Sequence, residues 1–155
     1  MSSKIDDLDL KVIKELQNDA RQSFKDIAER LGVSEGTVYN RVNKLKELGV
    51  IKKFVPDIDF SKLGYDLTAL IGIAVEGGHL PEKEKEIAED PNVLAVYDTT
   101  GEYDVMVVVK FKDRVGLNDF IKRVLSLQYV KKTYTMLALN VIKETLSSST
   151  FPTLE

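Results

Sequence analysis

The chain has 155 residues, with 22 Lys plus Arg against 25 Asp plus Glu, one His and no Cys. Without cysteine there is no disulfide framework, thiol nucleophile or zinc-thiolate site, and one histidine makes no His cluster, so no metal or cofactor is expected. The longest uncharged apolar run, Leu67 to Val75, is about half of the roughly 20 residues a membrane-spanning helix needs, and an acidic N-terminus is not a signal peptide, so the sequence reads as a cytoplasmic protein with no membrane partner.

Apolar residues recur at helical spacing up to Leu48 and in strand-like runs beyond Leu67, which predicts two domains. Ile5, Leu8, Val12, Ile13 and Leu16 share one face of a first helix, with Asp6 or Asp7 available as its cap. Ser23, followed by Asp26, opens a second helix carrying Phe24, Ile27, Ala28 and Leu31 and stopped by Gly32. Only Val33 separates that glycine from Ser34, a natural N-cap, so a third helix begins almost at once and runs to about Leu48.

The spacing predicts Val38, Val42, Leu45 and Leu48 as the buried face of this third helix. Its other face offers Ser34, Thr37, Tyr39, Asn40, Asn43 and Lys44, with Arg41 at the flank. A short helix, a tight glycine turn and a second helix with donors and acceptors in its first turns is the pattern of a helix-turn-helix. Three amphipathic helices also make a bundle with no role in DNA binding. What favours double-stranded DNA is local charge: from Arg41 to Lys53 there are five basic residues and one acidic. Lys52 and Lys53, just past Gly49, are placed to meet phosphates. The predicted DNA-binding residues are Ser34, Thr37, Tyr39, Asn40, Arg41, Lys44, Lys52 and Lys53.

Residues 51–66, with Pro56 and Gly64, read as a connecting strand and turn. Strands over Leu67–Glu76, Val93–Thr100, Asp104–Lys112 and Lys132–Lys143, with helices over Pro81–Glu89 and Arg114–Leu127, give the order βαββαβ. The expected fold is therefore α+β: a three-helix helix-turn-helix domain (1–50), a connecting strand (51–66), a ferredoxin-like domain (67–146) and a tail (147–155). The first and third of these strands are apolar on both faces, so the face not covered by helices needs a partner, most economically a second copy of the chain.

Between the second and third strands lies Thr99-Thr100-Gly101-Glu102-Tyr103-Asp104. On general grounds its glycine serves a hairpin turn. Exposed N–H groups around Gly101, with the Asp104 carboxylate beside them, also suit the carboxylate and ammonium of a free amino acid.

Taken in order, Asp6-Asp7-Leu8-Asp9, Gln17-Asn18-Asp19-Ala20-Arg21, Ile27-Ala28 with Gly32-Val33-Ser34, Arg41-Val42-Asn43-Lys44-Leu45, Gly49-Val50-Ile51, Leu63-Gly64 and Thr99 to Asp104 give the chain its resemblance to the Lrp/AsnC, or feast/famine, family of prokaryotic transcription regulators, of archaeal type. That resemblance implies a DNA-reading N-terminal domain and a C-terminal domain that dimerises, assembles further, as into octamers, and in many relatives binds amino acids between dimers. It places an effector site at Tyr97, Thr99, Gly101, Tyr103 and Asp104, with Thr133, Thr135 and Met136 facing the same cleft from a neighbouring subunit. Lys122 and Arg123 beside Asp119 on the last helix favour a neutral or acidic amino acid over a basic one.

The leading expectation is a sequence-specific transcription regulator modulated by an amino acid. The alternative is an architectural, chromatin-like DNA-coating protein, against which the net charge of -3 speaks. An enzyme is not expected: His79, in Gly77-Gly78-His79-Leu80, has no predicted nucleophile or acid partner.

Overall fold

The structure, a computed structural model, describes residues 5–145; the predicted tail lies outside them. The chain forms two compact units, one reaching to Ile58 and the other spanning Asp59–Lys143.

The first unit contains α1 (Asp7–Asn18), α2 (Phe24–Leu31) and α3 (Glu35–Glu47). Each begins on a side chain able to accept an otherwise orphaned amide: Asp6 from Asp9, Ser23 from Asp26 and Ser34 from Thr37. Val12 and Leu16 of α1, Ile27 and Ala28 of α2, and Val38, Val42 and Leu45 of α3 form its core. The buried late position of α3 is Val42, which leaves Arg41 at the flank.

In the second unit, β1 (Leu67–Val75), β2 (Val93–Asp98), β3 (Val105–Phe111) and β4 (Val130–Leu137) form one antiparallel sheet in the order β2-β3-β1-β4. With α4 (Leu80–Ala88) and α5 (Arg114–Ser126) this is the ferredoxin-like order. Ala69, Ile71, Ile73 and Val75 of β1 and Val105, Val107, Val109 and Phe111 of β3 meet Ile87 of α4 and Leu117, Phe120 and Val124 of α5.

Two expectations need correction. The connecting strand does not form within the chain: Lys52 to Asp59 has no ladder partner among the described residues, and the connection closes in a 3-10 turn, Phe60–Leu63, ended by Gly64. Extended backbone becomes a strand only where its amides and carbonyls meet a neighbour. The last strand ends at Leu137 rather than Lys143, because its partner β1 begins at Leu67 and the bond from Ala138 N–H to Thr68 O is the last the ladder can offer.

Candidate functional site

At the end of α2, Gly32 takes φ 67°, a conformation open to glycine at little cost, and the Val33 amide turns back to the Ala28 carbonyl at 3.0 Å. Ser34 then caps α3: its Oγ accepts from the Thr37 amide at 3.1 Å and lies 2.8 Å from the Thr37 hydroxyl. Asn40 is exposed on the outward side of α3, opposite Val38, Val42 and Leu45. Tyr39, also exposed, leans toward α2, where its ring lies 6.3 Å from that of Phe24. After Gly49 the Val50 and Ile51 amides both return to the Leu45 carbonyl, and Lys52 and Lys53 follow, exposed.

Two predicted DNA-contacting residues are engaged elsewhere. Asp6 and Asp9 form a reciprocal capping box at the start of α1, Asp6 N–H to Asp9 Oδ2 at 3.0 Å and Asp9 N–H to Asp6 Oδ1 at 2.9 Å. Into this box reaches Arg41, whose Nη1 donates to Asp6 Oδ2 and, at 3.2 Å, to Asp9 Oδ1. Lys44 Nζ donates to Asp9 Oδ2 at 2.6 Å. Both cations therefore face α1, while the outward face of α3 keeps uncharged Asn40 at its centre. Sequence spacing puts Arg41 at the flank of the helix; which element covers that flank depends on how α1 packs.

The Asp9 amide, then the Arg41 guanidinium, hold the Asp6 carboxyl down at about 2. Burial pushes the Asp9 carboxyl up, but Lys44, the Asp6 amide and Arg41 together outweigh it and the net shift is downward. Asp6 and Asp9 raise Arg41. Groups whose folded pKa is depressed stabilise the fold above their unfolded pKa and lose that contribution as pH falls through the folded value. The helical unit is thus expected to melt at progressively lower temperature between about pH 4 and pH 2, read by far-ultraviolet circular dichroism, and Asp6→Asn with Asp9→Asn should flatten the dependence.

In the second unit, cross-strand partners share a face of the sheet. Ile71 pairs with Val107 and Thr135, and Ile73 with Val105 and Thr133, so Thr133 and Thr135 lie on the helix-covered side. Tyr97, Met106, Gly72 and Tyr134 form a row on the other face, and Leu70, Val108 and Met136 form the next. Thr133 and Thr135 therefore do not face the same side as Met136, contrary to the sequence expectation.

The β2–β3 loop is closed by Thr99 N–H to Asp104 O at 2.9 Å and Thr99 Oγ1 to Tyr103 O at 2.9 Å, with Gly101 exposed at φ 117°. Tyr103 lies over Gly72 so closely that a Cβ there would come 2.7 Å from its Cγ. Its ring stacks on Tyr134 at 5.8 Å, and Lys132 Nζ stands 5.1 Å from its centroid. Lys132 also meets Glu102 at 2.9 Å, which lowers the Glu102 carboxyl and raises Lys132. Asp104 Oδ2 accepts from the Val75 amide at 2.8 Å, where the β1–β4 register shifts.

Residues 5–52 match the model of the winged helix-turn-helix DNA-binding domain, and residues 68–147 that of the Lrp/AsnC ligand binding domain. An HTH-type transcriptional regulator of Pyrococcus furiosus is 48% identical over 91% of this chain and 95% of its own. The chain belongs to the Lrp/AsnC family of transcriptional regulators. HTH-type transcriptional regulator FL11 of Pyrococcus horikoshii is 39% identical over 94% of this chain and 96% of its own. The structure of E. coli AsnC superposes with a TM-score of 0.83 at 27% identity, covering 92% of this chain and 97% of that one. In this Lrp/AsnC chain, sequence reasoning missed Gly72 and Tyr134 beside the loop; the available signal was a glycine inside an otherwise apolar strand, which marks close approach by another group.

Proposed function

We propose that the protein reads double-stranded DNA in a sequence-specific manner through the outward face of α3, with Thr37, Tyr39 and Asn40 toward base edges and Lys52 and Lys53 on flanking phosphates. Ser34 sets where the helix starts, while Arg41 and Lys44 hold it against α1. The observation that carries this reading is the turn at Gly32 and Ser34, which delivers α3 with the uncharged polar groups of half-buried Thr37 and exposed Tyr39 and Asn40 on its early turns and a short basic segment after its end. An uncharged face suits base recognition, whereas a coating protein needs charge. The boundaries of this function are a reading domain at 1–50, a connector at 51–66 and an assembly and effector domain at 67–146, working in the cytoplasm without catalysis.

Assembly as a homodimer or higher oligomer, an octamer by family resemblance, is proposed to use the sheet face left without helices. There Leu70, Tyr134 and Met136, from two adjacent rows, are 38%, 53% and 40% exposed, a patch of large apolar groups that a second copy would cover. An amino acid is proposed to bind at the β2–β3 loop, its carboxylate on amides near Gly101 and its ammonium toward Asp104. Tyr97, Thr99, Tyr103 and Met136 shape the space around it. A related protein has been solved as an L-Met complex, from Neisseria meningitidis.

Selection of bound fragments from random duplexes tests the DNA reading: a defined motif supports it, and uniform binding supports a coating protein. On the selected site, Asn40→Ala should cost about 1–3 kcal/mol more than on random duplex. Lys52→Ala and Lys53→Ala should weaken all sequences alike and reduce the salt slope by about one each. For the effector, a thermal-shift panel of the twenty amino acids should show about 2.7 kcal/mol of stabilisation at 100 times the dissociation constant of the true ligand.

A further inference from the structure

Phosphate affinity in a DNA-binding domain comes from lysine and arginine, and each such contact steepens the salt dependence of binding. Of the five cations between Arg41 and Lys53, Arg41 and Lys44 are held by two carboxylates that also cap α1. A capping box needs only one oxygen per side to satisfy two amides. Here the remaining oxygens, and a second bond on Asp9 Oδ2, are spent on α3. Three ion pairs made by two cations thus bind the reading helix to the start of α1, at the cost of two charges on the edge of its polar face. Carboxylate oxygens in this position offer guanidinium and ammonium groups what a phosphate would offer.

We propose that Asp6 and Asp9 are specificity-determining residues that stand in for DNA phosphate, withholding Arg41 and Lys44 from the duplex so that non-specific affinity stays low. The inference rests on the DNA reading given above. Loss of the two carboxylates would release Arg41 and Lys44 from Asp6 and Asp9 and make them available for backbone contacts that carry no sequence information. Affinity for random duplex would then rise more than affinity for the selected site, and discrimination would fall.

The test measures the affinity of the full chain for random and selected duplexes from 50 to 200 mM salt. Asparagine is as good an N-cap as aspartate, so Asp6→Asn keeps the cap while removing the charge, and Asp6→Asn with Asp9→Asn removes both carboxylates that hold Arg41 and Lys44 to α1. The double variant is expected to steepen the slope of log affinity against log salt by about two, each released cation adding about 3.5-fold to the loss across that range. The single Asp6→Asn change, which leaves Asp9 in place, should give a smaller increase. Arg41→Gln with Lys44→Gln should leave the slope of the parent unchanged but return that of the double variant to the parent's value.

Three results would overturn the proposal. One is a double variant whose slope is unchanged. Another is a parent whose slope falls by about two on Arg41→Gln with Lys44→Gln, since both residues would then already touch phosphate. The third is a steepened slope that those two substitutions fail to reverse, which would mark a long-range effect of the lost negative charge. Damage to the fold would lower affinity for both duplexes together and would not steepen the slope. A parent that binds no duplex removes the DNA reading and this inference with it; a parent that binds, with any of the three results, removes the inference alone.

Discussion

Leu45→Ala is expected to abolish DNA binding while leaving the four-stranded sheet folded. Leu45 is fully buried in the helical unit, where it packs among Val12, Leu16, Ile27, Ala28, Val38 and Val42. Truncating a buried leucine to alanine costs about 2–5 kcal/mol, from lost transfer energy and the cavity left behind. Cores of this size rarely supply more than about 3–5 kcal/mol in total. The loss is therefore comparable with the whole stability of the unit. The sheet has its own core of β1, β3, α4 and α5 side chains and shares none of these residues. Hydrogen exchange should show amides of α1 to α3 exchanging freely while those of Val105–Phe111 remain protected. Loss of protection in both units together would mean that they unfold as one cooperative body.

Gly72→Ala should remove amino-acid binding and destabilise the second unit by about 1–3 kcal/mol, the usual cost of forcing extra volume into a packed site. The clash falls on Tyr103 Cγ, the ring atom nearest the backbone, so the ring cannot escape by moving only its tip. It must leave the sheet, giving up its stack on Tyr134 and its place beside Lys132. Aromatic pairs of this kind are worth about 0.5–1.5 kcal/mol beyond the area they bury. Tyr103→Ala removes the obstacle, so Gly72→Ala added to it should cost little further stability. Chemical denaturation of the four members of this cycle gives the coupling, and equal costs for Gly72→Ala in both backgrounds would show that Tyr103 is not what the glycine accommodates.

The helices were legible in the sequence because each carries both its signals, a capping side chain at Asp6, Ser23 or Ser34 and an apolar stripe of period 3.6. The βαββαβ order was legible for a similar reason: the apolar runs of β1 and β3 are long and the α5 stripe is regular. What could not be read was anything set by a neighbour. Thr133, Thr135 and Met136 alternate faces as any strand does, and only the pairing of β4 with β1 tells which face is covered. Arg41 and Lys44 look like groove-facing cations until α1 is packed beside them with Asp6 and Asp9. The segment before Asp59 has the composition of a strand but no strand beside it among the described residues.

The bond from the Val75 amide to Asp104 Oδ2 turns one backbone proton into a reporter on the effector loop. At that point the sheet register shifts and the amide relies on a side chain from the far end of a hairpin for its acceptor. Exchange of that single proton with solvent should accelerate when Asp104 swings away and slow when an occupant pins the loop. Asp104→Ala would leave the amide without its acceptor, so a lost ligand response in that variant would confuse recognition with local unravelling. Asp104→Asn keeps a carbonyl oxygen for Val75 while cancelling the negative charge. A variant that still protects the Val75 proton yet no longer responds to an amino acid would assign the missing attraction to the charge itself.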